Sequence, residues 1–458
     1  MNVLWLCNIM LPVIARELNV EASNKEGWIS GLADVLLADS ADNGVCLYVA
    51  FPAPDHLLGD RDVFEKKLCI KDTELTCYGF REDTSAPDRY DPSLEKSMKK
   101  IIDACAPDVV HCFGTEYPHV LAMCRVFPDK KRLLITIQGL CSVYANVYYA
   151  DIPERVIKRA TFRDRLKKDS IPEQQEKYKS RGEAEIEAVR LAGNVGGRTP
   201  WDEHYTKEWN PSVRYYRMCE TLRSDFYEGE WKRESCENHA IFLSQGDYPI
   251  KGLHYMLLAL PEILKKYPDT HVYVAGNSIV NYHTLKDRIK ISSYGKYLRE
   301  LIQAGGIGEK VTFLGKLDSA LMKKQYLKSR LFVCPSAIEN SPNSLAEAMI
   351  LGMPCVAADV GGIPGMFTGG KDGVLYPGCR SSENSFDCEK PAAPGEELLR
   401  IRSAALTDAV FRMWEDPEQE NIFCRNAREH AMKNHDRQEN YRTTLQVYRE
   451  IACEGGRG

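Results

Sequence analysis

Short apolar runs alternate along this chain with longer segments whose apolar residues recur every three or four positions. The short runs read as buried strands and the longer segments as helices laid against them, the pattern of a parallel sheet with helical crossovers. In the first half the pattern predicts strands at Val3–Cys7, Val45–Phe51, Val109–Phe113 and Leu133–Ile137, with helical segments such as Lys96–Cys105 between them. It begins again in the second half, with strands at Ala240–Ser244, His271–Ala275, Val311–Leu314, Leu331–Pro335 and Cys355–Ala358 and an amphipathic helix at Leu253–Lys266. The fold class this predicts is α/β, with two Rossmann-like doubly wound domains facing across a cleft.

Length agrees with two domains, because 458 residues exceed the roughly 250–300 at which single cores stop growing. Residues 151–237 are highly charged and poorly periodic and carry the boundary, which sets domains at 1–225 and 238–430. Asp436–Cys453 reads as a helix, so 431–458 is expected to pack back across the junction. With 44% hydrophobic and 27% charged residues the chain reads as globular. Its net charge of −5 gives no broad positive field for nucleic acid. The sixteen cysteines show no metal-binding spacing and read as reduced cytosolic thiols. Asn2–Ala15 lacks a basic flank and is interrupted by Pro12, so it reads as a strand and loop; no apolar run is long enough to span a bilayer.

Candidate chemistry concentrates in the run from Val333 to Met349, followed by Leu351 to Val356. A buried strand ends at Pro335, a loop carries Glu339, and Ser341-Pro342 supplies an N-cap and a first-turn proline for a helix. The amides of Asn343, Ser344 and Leu345 fall in its first turn, where unpaired N–H groups and the helix dipole favour an anion such as a diphosphate. Glu339 precedes the helix and Glu347 lies more than a turn inside it, so the two carboxylates bracket that anion site. The plainer reading is ordinary capping with two solvent-facing acids.

These residues resemble glycosyltransferase family four, the retaining enzymes of the GT-B fold with an E-x7-E motif. The resemblance covers most of residues 240–378 and includes Lys251-Gly252, Val311–Gly315, Glu339 to Glu347, Val360-Gly-Gly-Ile-Pro364 and Asp372 to Pro377. It implies that Glu339 contacts the transferred hexose, Glu347 the ribose and Lys251 the diphosphate. It further implies a nucleotide-sugar donor, UDP being the commoner base, and a glycan or lipid-linked acceptor. A departing nucleoside diphosphate builds negative charge that must be met by cations or oriented amides; Lys251 and the helix start supply these with no metal and no cofactor.

Two positions depart from the family pattern. Gln245 stands where an arginine is usual, leaving either Gln245 as a neutral donor or another base such as Arg198 to meet the phosphate. Gln138 stands where a histidine is usual; an amide cannot act as a base at neutral pH but can hydrogen-bond a sugar hydroxyl. The family's front-face mechanism tolerates this, since the departing phosphate oxygen takes the acceptor proton. Gly365 replaces a usual glutamate and receives no role.

Acceptor-side candidates in the first half are Gly27 and Trp28, His111, Glu116, Tyr117 and His119 in the run Asp108–His119, and Arg198 in the turn Gly197–Asp202. A lone histidine is more often structural, and the turn reads equally as a packed corner. Arg155–Lys168 reads as a basic helix, either solvated or in peripheral contact with an anionic membrane at the cytoplasmic face. Asp60-Arg-Asp62 matches a manganese-binding pattern but follows no apolar strand and reads as surface loop. Dinucleotide and P-loop fingerprints do not occur. The remaining alternatives are a sugar-nucleotide epimerase or hydrolase of the same fold and a degenerate binding protein that has lost transfer.

Overall fold

A computed structural model describes residues 1–21, 27–39, 43–70, 73–281, 284–378 and 395–455. The first sheet comprises β1 (Asn2–Cys7), β2 (Cys46–Pro52), β3 (Val63–Ile70), β4 (Thr73–Phe80), β5 (Val109–Phe113), β6 (Leu133–Thr136), β7 (Asn194–Gly197) and β8 (Arg214–Arg217). Their spatial order is β3-β4-β2-β1-β5-β6-β7-β8, parallel except for the β3–β4 pair. The second sheet comprises β9 (Glu237–Leu243), β10 (His271–Ala275), β11 (Val311–Gly315), β12 (Ser329–Cys334), β13 (Cys355–Asp359) and β14 (Val374–Pro377), ordered β11-β10-β9-β12-β13-β14. Every pair in that sheet is parallel. Two Rossmann-like parallel sheets in an α/β chain are what the alternation of apolar runs predicts.

All strands read from that pattern form, with ends shifted by a few residues. Three of those it passes over lack a continuous apolar run. β3 (VFEKKLCI) shows its charged positions to solvent, β7 (NVGG) is short and glycine-rich, and β8 (RYYR) is flanked by arginines.

The chain divides into two compact units, the first made of 1–142, 177–223 and 434–458 and the second of 143–176 and 224–433. A first domain running unbroken over 1–225 is therefore corrected: residues 143–176 belong with the second unit. Polar side chains fasten them there. The buried His254 ring bonds the Ala150 carbonyl at 2.8 Å, and Tyr255 Oη donates to Asp151 at 2.8 Å. Arg159 pairs with Glu300 at 2.6 Å.

A single basic helix over Arg155–Lys168 is likewise corrected to two short ones, Glu154–Ile157 and Phe162–Lys167. Thr161 and Asp164 form a capping box that starts the second afresh. The stretch read as poorly periodic also contains a 21-residue helix, Ile171–Leu191.

The helix Arg437–Gly455 belongs to the first unit. Its Tyr441, Leu445, Tyr448 and Ile451 are buried in one core with Trp5, Val109 and Phe113. Tyr448 Oη accepts from Trp5 Nε1 at 2.9 Å and bonds His111 Nδ1 at 2.6 Å. His111 is thus a core residue, its other ring nitrogen held by Thr136, and burial lowers its pKa to about 3. Among the described residues no helix is long and apolar enough to cross a membrane.

Candidate functional site

In an open parallel sheet the ligand crevice lies beyond the strand C-termini where the strand order reverses. In the second sheet that place is between β9 and β12, which run side by side while the chain leaves each toward opposite edges. The loop after β9 carries Gln245 and Lys251, and the loop after β12 carries Glu339. Two segments far apart in sequence thus meet where sheet topology alone places a site.

There Lys251 Nζ lies 2.5 Å from Glu339 Oε1, and the same oxygen accepts from Ser336 Oγ at 2.8 Å. Lys251 also sits over the Tyr248 ring, 5.6 Å from its centroid. Burial disfavours the ammonium, but the adjacent carboxylate outweighs it and raises the Lys251 pKa well above the ordinary value. Lys251 therefore stays cationic. Tyr144, whose hydroxyl accepts from the Asn340 amide at 3.1 Å, has its own pKa pushed up by burial.

Glycines make this approach feasible. Gly252 follows Lys251 with φ at +73°, and a Cβ there would lie 1.9 Å from the Pro335 carbonyl oxygen. Next to it the Ala337 amide donates to the Ile250 carbonyl at 2.8 Å, joining the two loops through backbone. Gly361 has φ at +52°, and a Cβ would fall 2.1 Å from the Glu339 carbonyl oxygen, to which the Gly362 amide donates at 2.9 Å. The Gly361-Gly362 turn is thus the seat on which the Glu339 backbone rests.

The helix after this loop runs from Asn343 to Ile350, with Pro342 as N-cap and no side-chain cap. The expected capping by Ser341 is corrected: its hydroxyl turns to Met366 Sδ at 3.4 Å. Of the three amides read as anion-facing, that of Leu345 is taken up by the Pro342 carbonyl at 3.0 Å. Glu339 and Glu347 are both buried, and the reading of two solvent-facing acids does not survive. Asp372 is also buried, accepting from the Thr368 amide and bonding His430, which fixes the turn before β14. Ser336, Tyr248 and Tyr144 went unread in the sequence. Ser336 stands three residues before Glu339, but Tyr144 lies in the segment assigned to the other domain.

In the first unit the order reverses between β1 and β5, and Asn8 follows one strand while Gly114 to Glu116 follow the other. Asn8 Nδ2 donates to Glu116 Oε2 at 3.2 Å, and Asn8 Oδ1 bonds His119 Nε2 at 3.1 Å. His119 Nδ1 in turn meets Glu82 Oε2 at 2.7 Å. Burial raises the Glu116 pKa. His119 is wholly buried, clamped from both ring nitrogens, and Tyr117 is N-cap of the helix Pro118–Val126. Asn8, directly after β1, is the member of this chain nearest a strand end.

Gln138 is half-buried, and Arg198 donates to its carbonyl oxygen at 2.9 Å. Arg198 is itself buried and paired with Glu220 at 2.7 Å, so its charge is engaged within the first unit. The Gly197–Asp202 turn is a packed corner closed by a Thr199–Asp202 capping box. Gly27 and Trp28 open the helix Gly27–Ala38, and their side chains lie outside the described residues. Asp60 and Asp62 are exposed, Asp62 pairing with Lys100 at 2.9 Å.

Glu185 also escaped the sequence reading. Its buried carboxylate accepts from the Cys141 amide at 3.0 Å, the Ser142 amide and hydroxyl at 3.0 and 2.7 Å, and Thr115 Oγ1 at 2.7 Å. It joins the loop bearing Glu116 to the one following Gln138. Burial nonetheless pushes its pKa up to about 7.

Two parallel-sheet Rossmann-like units, one with a cation–carboxylate pair at its switch point, define the chain as a GT-B fold. Residues 227–385, about a third of the chain, match the family model described as glycosyl transferases group 1. Among curated relatives, alpha-D-kanosaminyltransferase of Streptomyces kanamyceticus is 24% identical over 256 residues, 53% of this chain and 57% of the relative. Phosphatidyl-myo-inositol mannosyltransferase of Mycobacterium leprae is 27% identical over 188 residues, 38% and 46%. The matches span about half the length of these relatives.

Among solved structures, sucrose-phosphate synthase from Thermosynechococcus elongatus superposes with a TM-score of 0.66 at 17% identity, covering 99% of this chain and 100% of its own. Anabaena Alr3699/HepE in complex with UDP superposes with a TM-score of 0.60 at 14% identity, covering 98% and 100%.

Proposed function

We propose that the chain is a retaining family-four glycosyltransferase that moves a hexose-type sugar from a nucleotide diphosphate, UDP being the first candidate, to a glycan or lipid-linked acceptor. The observation that carries this reading is the 2.5 Å Lys251–Glu339 pair at the second sheet's switch point, beside the start of the helix Asn343–Ile350. On donor binding the diphosphate takes Lys251 and the Asn343 and Ser344 amides, and Glu339 turns its released carboxylate to sugar hydroxyls. Glu347 holds the ribose. The bond between the anomeric carbon and phosphate oxygen breaks as the acceptor oxygen bonds that carbon from the same face, and the acceptor proton passes to the departing phosphate oxygen. Charge on the leaving group is met by Lys251 and oriented amides, so transfer proceeds without metal or cofactor.

Gln245 and Gln138 serve as neutral hydrogen-bond donors to phosphate and sugar, and the Glu116 chain receives the acceptor. The enzyme works in the cytoplasm, in peripheral contact with the inner face of a membrane. A thermal-shift panel of nucleotide sugars tests the donor reading, because a ligand that binds only the folded state raises its melting point. Stabilisation by a nucleotide sugar, followed by transfer to an added acceptor pool, is expected. Loss of the sugar to water or its isomerisation without acceptor would move the chain to the hydrolase or epimerase reading.

A further inference from the structure

Among the described residues, most large apolar side chains that stand in solvent do so singly, as surfaces allow. The exception lies in the second unit, where the short helices Phe162–Lys167 and Leu285–Lys290 touch. Phe162 and Leu166 are 65% and 74% exposed, and Leu285 and Ile289 77% and 55%; Leu321, Ile401, Ile422 and Met432 elsewhere reach at most 49%. Each pair is spaced four apart, so it occupies one helix face.

The inner side of the first helix is fastened firmly. Buried Asp164 accepts from the Thr161 amide at 3.0 Å and from the Ser293 amide at 2.9 Å, and Ser293 Oγ donates to it as well. The outer face is therefore not a loosely placed core face; it is held outward. Arg165, Lys167, Arg288 and Lys290 stand exposed on the same two helices and Lys168 at the end of the first, while Asp287 serves as the N3 residue of a capping box. This local excess of positive charge sits in a chain whose net charge is −5.

We propose that these two helices form a docking face for an anionic lipid bilayer, Phe162, Leu166, Leu285 and Ile289 entering the headgroup boundary while the lysines and arginines meet lipid phosphates. The proposal deepens the membrane-face reading above and stands apart from the donor site, none of whose residues it uses. It also relocates the contact expected from Arg155–Lys168. There Lys158 pairs with Glu154, Arg159 with Glu300 and Arg163 with Asp169, and the second helix comes from a part of the chain the basic run does not reach. A second copy fits poorly, since two such faces would bring like charges together.

The test is co-sedimentation of the full chain with phosphatidylcholine vesicles, with and without phosphatidylglycerol. Wild type is expected to favour the anionic vesicles, and less so in high salt. Joint replacement Phe162→Ser, Leu166→Ser, Leu285→Ser and Ile289→Ser should weaken binding by about tenfold or more with nucleotide binding unchanged. Lys167→Glu with Lys168→Glu should abolish the preference for phosphatidylglycerol, a drop of roughly tenfold. Equal binding to both vesicle types, or full retention by the serine variant, overturns the proposal. So does a lipid-free, concentration-dependent dimer that the serine variant lacks, which would assign the face to a second copy. Nucleotide binding, read separately, reports on the donor site whichever way the vesicles decide.

Discussion

At the scale of single residues, the Lys251–Glu339 pair sets the sharpest expectations. Lys251→Ala removes the cation that meets the leaving group and should lower kcat by about a hundredfold. Glu339→Gln should reduce turnover by a similar factor while leaving nucleotide affinity nearly intact, whereas Glu347→Ala should weaken nucleotide binding itself. Steady-state kinetics with calorimetric nucleotide titration separates these, and wild-type behaviour in both glutamate variants would remove the site assignment.

Glu185 makes a prediction about pH. Its folded pKa of about 7 lies above the ordinary 4.5, so the native state holds this proton more tightly than the unfolded chain does. The stability this contributes is present at acid pH and is lost as pH rises from the lower value through the upper one, an effect on the order of 3 kcal/mol. Melting curves of wild type against Glu185→Gln between pH 5 and roughly pH 8 should show wild type losing stability relative to the variant. A constant difference would refute the assignment.

At the scale of elements, the glycine turns are as consequential as the acids they seat. Gly361→Ala would force a Cβ against the Glu339 carbonyl in a left-handed conformation and should cost about 1–3 kcal/mol, with activity falling further than stability because Glu339 moves. Thermal melts and kcat on one preparation decide it. The helix Arg437–Gly455 is held by packing: Tyr448→Phe should cost about 1–2 kcal/mol in chemical denaturation, since it strips Trp5 and buried His111 of their partner.

The sequence announced these elements unevenly. Apolar runs marked the central strands, where burial on both faces demands continuous hydrophobic residues, and E-x7-E with its glycines marked the loop that pairs Glu339 with Lys251. β3 and β8 went unread because edge strands show polar residues to water, and Ser341 looked like a cap although Pro342 takes that position. Asn8, Glu82 and Glu185 gave no local signal at all. Their roles arise from bonds to residues dozens of positions away, which no spacing rule encodes.

At the scale of the whole molecule, the proposed contacts to the nucleotide and its diphosphate all lie in the second unit. A nucleotide sugar should therefore slow amide hydrogen exchange across 224–433 more than across the first unit's sheet, by the linkage between binding and local stability. Equal protection in both units would show that the proposed contacts are incomplete.

The discontinuity of the first unit bears on how the chain is made. Its β1 to β8 sheet is assembled from residues translated before 218, yet the face that receives Tyr441, Tyr448 and Ile451 stays bare until the ribosome has delivered residue 455. The second unit, whose 224–433 body is finished sooner, reaches its native state first, and the older half of the nascent polypeptide waits with an open hydrophobic wound. Slow release from the ribosome, or a shortage of holdase chaperones, should thus appear as aggregation seeded by the part of the protein that was synthesised earliest.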